Sequence, residues 1–347
     1  MTTITRRIAC ASGTCAEASF PWALRTFGIL IALLWSSTSE AQLLREGDEY
    51  WVINTRHISS NACHADLDSP RFSVYRYHDN IGLQFDSVEG LLSTAATDAD
   101  CLNILYIHGN RMKSQEAIDR SLKIYRLIQN RRCDQTKIRW ILWSWPSDPI
   151  FNPLTDVRQK AARADAQALY VGWFLRRFPA IDRIEMIGYS FGGRIVTGAL
   201  HTAAGGAMFG RTLPGPPLSG ARIGINLVAP ALDRHWLANG AKHGMAVENI
   251  GSLNLFYNSG DRVLKLYKMV SKYYDPVALG SAGLGPLGTR SDQLPIAVVS
   301  RNCVGTVGLI HDELLYYEPG CDAAPWIARS IDKACDAITQ SHPTMAN

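Results

Sequence analysis

Apolar and polar positions along the chain fall into two rhythms: short runs that alternate or stay apolar, and longer stretches with a period near 3.6. Residues 50–57 and 72–77 alternate in polarity and are predicted as strands suited to an antiparallel edge. Residues 102–107 read Leu-Asn-Ile-Leu-Tyr-Ile, the nearly continuous apolarity of a strand buried on both faces. Further strands are predicted over 138–143, 184–187, 223–228, 253–257 and 296–299. Between them, Ser114 is placed to cap a helix whose apolar face is Ile118, Leu122, Tyr125 and Ile128. A long helix over about 156–178 turns Val157, Ala161, Ala164, Ala168, Val171 and Leu175 inward. Another, over about 193–203, carries Ile195, Val196, Ala199 and Leu200 on one face, and a closing helix spans about 325–338. Alternating strands and helices predict an α/β fold, a mostly parallel central sheet with helices on both faces. A Gly/Pro-rich segment around 204–220 is expected as an insert or mobile lid, and a second glycine-rich loop spans 280–288.

Composition sets the outer limits. With 347 residues, 47% hydrophobic and 19% charged, the chain suits one domain of about 250–300 residues plus a leader. The net charge is only +4 and no Lys/Arg run occurs, which argues against nucleic acid as a partner. Residues 23–35 form an apolar run interrupted by Arg25, Thr26 and Gly28, shorter than a bilayer span. A basic start, that run, polar residues 36–40 and then Ala41-Gln42 read as a secretory signal, residues 1–41, cleaved after Ala41. The domain is then 42–347, exported to the periplasm or secreted, with no membrane span after cleavage; a retained N-terminal anchor is the alternative. Cys63, Cys101, Cys133, Cys303, Cys321 and Cys335 remain after cleavage, without a CxxC pair or a histidine at zinc-ligand spacing. No metal site is expected, and an even set in an exported protein favours disulfides.

The chemistry centres on Gly188-Tyr189-Ser190-Phe191-Gly192, between the strand 184–187 and the helix that follows. A serine at a sharp strand-to-helix turn is presented as a nucleophile, the glycines relieve crowding, and the helix amides face a developing oxyanion. A serine hydroxyl also needs a base, a group that orients the base, and oxyanion donors. In a parallel sheet these gather beyond the carboxyl ends of the strands. His311 follows the last strand, and Asp261 ends the strand 253–257 in Asn258-Ser259-Gly260-Asp261. The backbone N–H groups of Asn110, in His108-Gly109-Asn110-Arg111, and of Phe191 are the candidate oxyanion donors. Asp233 competes with Asp261, but it precedes His235-Trp236-Leu237, where it reads as the cap of a helix. His108 reads as structural. Trp143 and Trp145 line either a substrate pocket or the core.

With strand, elbow, oxyanion loop, acid and histidine in this order, residues 102–317 resemble the α/β-hydrolase superfamily. The H-G-N-R loop and Trp145-Pro146-Ser147 are similar to those of bacterial esterase-like hydrolases. The resemblance implies an α/β-hydrolase fold and a serine hydrolase that cleaves carboxylic esters through an acyl-enzyme. It implies no cofactor, and a small-molecule or lipid-like acyl substrate. Peptidases, thioesterases and acyltransferases share the Ser190, His311, Asp261 arrangement, and the fold also serves as a non-catalytic binding module. The resemblance further makes the strands at 102 and 138 neighbours, so Cys101 is expected to bridge Cys133. Cys303 with Cys321 would then pin the His311 loop, leaving Cys63 with Cys335.

Overall fold

The structure is a computed structural model and describes residues 43–271 and 273–341. The expected leader, with its cleavage site, lies outside the described residues. Strands β1 (Glu49–Asn54), β2 (Ser73–His78) and β3 (Gly82–Asp86) come first, then helix α1 (Val88–Thr97). The alternating part follows as β4 (Leu102–Ile107), α2 (Ser114–Gln129), β5 (Ile138–Ser144), α3 (Pro153–Arg177), β6 (Ile184–Tyr189), α4 (Phe191–Ala203) and β7 (Ile223–Val228). The chain continues through β8 (Ile250–Tyr257), the short α5 (Arg262–Lys265) and α6 (Leu279–Ala282), β9 (Ala297–Asn302), α7 (Val304–Val307) and α8 (Ala323–Ser341).

Among the described residues the nine strands join one sheet in the order β3-β2-β1-β5-β4-β6-β7-β8-β9. Only β2 runs antiparallel to its neighbours. Every other adjacent pair is parallel. This order and the turn after β6 define the α/β-hydrolase fold. The two strands expected at an antiparallel edge do pair antiparallel there, but β1 is not itself the edge: it also runs parallel to β5, with Val52 opposite Leu142. The alternation expected over residues 50–57 fails in its first half: Tyr50-Trp51-Val52-Ile53 is a continuous apolar run, all of it buried, which suits an inner strand. The unpredicted β3 is the outermost strand, where polar residues and an exposed Phe85 are tolerated. Helix α1 was also unpredicted; it starts at Ser87, whose hydroxyl accepts from Gly90 N–H at 2.9 Å. In α2 the cap is Lys113, its N–H satisfied by Glu116 at 2.7 Å, and Ser114 is already inside the helix.

Helices cover both faces. Trp140 and Trp143, three residues apart on β5, point to opposite faces. The indole N–H of the first donates to Ser121 on α2 at 2.9 Å, that of the second to Gln167 on α3 at 2.8 Å. Helix α4 packs on α3, and α8 packs on α2. Both tryptophans and Trp145 are fully buried, so they belong to the core. The Gly/Pro-rich segment is tied down by Arg176, whose guanidinium donates to the carbonyls of Leu213, Pro214 and Gly215.

Cys303 and Cys321 form a disulfide. Cys101 and Cys133 do not. Leu102 pairs with Ile138, which sets the buried Cys101 level with Lys137, while Cys133 sits exposed on the turn before, its N–H on Asp332 of α8. Cys63 is a free, exposed thiol beside α3, on the face opposite the α8 that carries Cys335, so that expected pair does not form either. Among the described residues no helix is long and apolar enough to cross a membrane, and no cluster of His, Cys, Asp and Glu is arranged to hold a metal.

Candidate active site

Ser190 stands between β6 and α4 with φ 53°, a left-handed backbone that an L-residue adopts only under constraint. The constraint is close packing. A Cβ on Gly188 would lie 2.7 Å from the Gly193 nitrogen, and one on Gly192 would collide with the Ile107 carbonyl of β4. Gly188 is therefore needed for the tight turn into α4, and Gly192 for the turn to fit beneath the neighbouring strand.

Ser190 Oγ lies 2.9 Å from His311 Nε2, and His311 Nδ1 lies 2.6 Å from Asp261 Oδ2. A carboxylate only accepts, so Nδ1 carries the hydrogen and Nε2 turns its lone pair to the serine hydroxyl. Asp261 is fully buried, and its other oxygen accepts from the N–H groups of Val263 and Leu264, both at 2.9 Å. The competitor is placed elsewhere. Asp233 accepts from the N–H of His235 at 2.8 Å and contacts its ring at 3.1 Å. The helix expected after it is a short series of turns, so Asp233 closes a turn rather than capping a helix.

Three side chains that the sequence did not single out hold this arrangement. The Tyr189 ring stacks on His311 with centroids 5.2 Å apart, and its hydroxyl donates to the His311 carbonyl at 3.2 Å. Asn258 joins the acid turn to the histidine loop: Nδ2 donates to the Gly308 carbonyl and Oδ1 accepts from Gly260 N–H, each at 2.9 Å. Glu313, buried two residues after His311, receives the Tyr106 hydroxyl of β4 at 2.9 Å. Burial pushes the Glu313 carboxyl up to about 8, with Arg120 opposing only in part. In sequence, His311-Asp312-Glu313 looks like a solvated acidic loop, and only the tertiary fold buries its last member.

Asn110 and Phe191 line the same cavity of about 830 Å³ as Ser190 and His311. The Asn110 loop is organised by Asp156, near the start of α3. One carboxylate oxygen accepts from Asn110 Nδ2 at 3.0 Å and Arg111 at 3.1 Å. The other accepts from Lys160 at 2.8 Å and Ile150 N–H at 3.2 Å. Burial alone would raise this carboxyl, but the Lys160 ammonium and the N–H donors hold it below the usual range. Asp156 was missed because an acid in a first helical turn has a sufficient local reason to be there. His108 is fully buried, stacks on Trp145 and accepts from its N–H at 3.2 Å. Burial and the nearby Arg56 push its pKa down to about 3, so it is a neutral packing residue.

No protein-family model matches the chain, and no curated protein matches its sequence. Among solved structures, it is similar to esterase B from Lactobacillus rhamnosis at 12% identity and a TM-score of 0.39, covering 86% of this chain and 91% of that one. Carboxyl esterase 2 from the mycorrhizal fungus Tuber melanosporum is 14% identical, with a TM-score of 0.33 over 76% of this chain and 83% of its own. An esterase from the Planctomycetes species Thermogutta terrifontis is 11% identical, with a TM-score of 0.29 over 71% of this chain and 84% of its own. The fold assignment stands on the strand order and the elbow described above.

Proposed function

We propose that the protein is a serine hydrolase acting on carboxylic esters. The observation that carries the reading is the unbroken Ser190–His311–Asp261 hydrogen-bond chain, with Ser190 on the wall of a cavity. Ser190 attacks the acyl carbon while its proton passes to His311 Nε2, and Asp261 holds the imidazole in the tautomer that accepts it. The oxyanion is taken up by the N–H groups of Asn110 and Phe191. His311 returns the proton to the departing alcohol, and water then cleaves the acyl-enzyme by the reverse sequence. No step requires a cofactor. Pro153, Val157, Ala231, Val263, Leu264 and Ile310 give the cavity an apolar wall that suits an acyl chain, beside charged residues such as Arg111, Glu116 and Arg120. The Cys303–Cys321 disulfide supports an oxidising compartment and thus export.

Ser190→Ala is expected to abolish covalent labelling by a fluorophosphonate while leaving the circular dichroism spectrum unchanged. Labelling that persists moves the nucleophile elsewhere. Failure of the wild-type protein to label points to a binding module. p-Nitrophenyl esters of increasing chain length, run beside a thioester and an aminopeptidase substrate, separate esterase from the thioesterase and peptidase readings.

A further inference from the structure

Immediately after Asp261 the chain winds through α5 and a short 3-10 turn with a strict period of three. Asp261, Leu264 and Tyr267 are buried; Arg262, Lys265 and Lys268 are exposed; Val263, Leu266 and Met269 are exposed as well. One ridge of cations and one of apolar side chains therefore run side by side on the outer surface. Among the described residues none of the three cations takes part in an ion pair. The apolar ridge does not end there. Arg262 N–H donates to the Leu309 carbonyl at 3.3 Å, which brings the ridge against Leu309 and Ile310 of the histidine loop. Val263 is 56% exposed, Leu266 56% and Ile310 59%. Val263 and Ile310 also line the Ser190 cavity, so the patch is the rim of its mouth.

Single exposed apolar residues need no explanation, but a contiguous set around an opening marks a surface that is covered in use. We propose that this rim docks the protein on an anionic phospholipid surface. The apolar ridge enters the headgroup boundary and Arg262, Lys265 and Lys268 meet lipid phosphates. Charge complementarity selects that occupant, and so does geometry. A protein seated on the rim would close the cavity, whereas a lipid surface feeds acyl chains into it. The delivery of acyl chains into the cavity rests on the hydrolase reading; the cationic and apolar ridges that seat the rim on the lipid do not.

The test is flotation of the full chain with phosphatidylcholine vesicles, with and without phosphatidylglycerol. Binding is expected only with the anionic lipid and is expected to weaken as salt rises. Each cation held at such a surface contributes roughly fivefold in affinity, so the pair Lys265→Gln and Lys268→Gln should weaken binding about thirtyfold. Leu266→Ser with Met269→Ser should also release the protein. Both pairs are expected to hydrolyse a short soluble ester at the wild-type rate, which controls for folding. Ser190→Ala should float like the wild type, so loss of activity and loss of docking are read apart. Absence of flotation, equal binding to neutral vesicles, or salt-independent binding overturns the proposal. The salt series uses the unmodified protein and decides the matter even where a variant fails to fold. If an acidic polypeptide binds the rim and anionic vesicles do not, the surface belongs to a protein partner instead.

Discussion

Asp261 divides its two oxygens between two tasks: one closes its own turn through the N–H groups of Val263 and Leu264, the other holds the ring of His311. Asn in its place keeps the turn but presents an amide that favours the wrong imidazole tautomer. Asp261→Asn is expected to lower kcat by about 10³–10⁴. Asp233→Asn, whose carboxylate hydrogen-bonds within its own turn to His235, should change stability by about 1 kcal/mol or less and leave kcat near wild type. Measured on folded variants with one ester, the opposite ranking would reassign the acid. Asp156 is a positioning residue, acting through the loop that carries Asn110. Asp156→Asn leaves the Lys160 ammonium buried without its counter-charge, at a cost of about 3 kcal/mol. It also frees the Asn110 loop, for which a loss of about 10²-fold in kcat is expected. A kcat unchanged in folded Asp156→Asn would reduce its role to stability alone.

The histidine loop is anchored as an element rather than by one contact. Cys303–Cys321 closes the chain around it, Cys303 N–H donates to the Tyr257 carbonyl at 2.7 Å, and Asn258 holds the Gly308 carbonyl. Closing a loop with a sequence separation of 18 stabilises by about 3 kcal/mol through the unfolded chain. Reduction is therefore expected to lower the thermal midpoint while folded, reduced protein keeps its kcat, since Asn258 and Tyr189 still hold His311. A kcat that falls in step with reduction would make the disulfide part of the positioning. The elbow, the two loops with Asp261 and His311, and six parallel strands are legible in the sequence because each is local: a turn, or an apolar run with its flanks. The place of β1 is only half legible: the apolar run 50–53 points to an inner strand, but which strand covers it cannot be read locally, since β5 lies about ninety residues away. The same holds for Cys101, where two residues near the ends of neighbouring strands miss each other by register. Tyr189, Asn258, Asp156 and Glu313 are common residue types whose role exists only once separate loops are brought together.

Across the whole molecule, buried ionisable groups set how stability varies with pH. Burial raises two carboxyls, Glu313 to about 8 and Glu185 to about 7, against an ordinary value of 4.5. Each is protonated in the folded protein and ionised in the unfolded chain, so its contribution is full below pH 4.5 and is lost as pH rises through the folded value. Buried histidines act in the opposite sense. Burial lowers His108, His201 and His243, which stay neutral in the fold while the unfolded chain takes up protons below about pH 6.5. Their contribution is lost as pH falls. Between pH 4.5 and 6.5 the two sets oppose each other, so stability should change less there than either set alone would make it. Above 6.5 the histidine contribution is complete and constant, and only the carboxyls still change with pH. Stability should then fall with rising pH, by about 1.4 kcal/mol per unit once Glu185 has ionised near pH 7, with Glu313 the last to titrate. Glu313→Gln isolates that group, since an amide still accepts the Tyr106 hydroxyl and does not titrate. Its advantage over wild type in unfolding free energy, read from denaturant titrations, should grow from pH 4.5 to 8, by up to about 5 kcal/mol in all. Glu185→Gln should show the same growth but stop near pH 7. A Glu313→Gln difference that stays constant with pH would mean that Glu313 is ionised beside Arg120, and that Tyr106 donates to a buried carboxylate rather than to an acid.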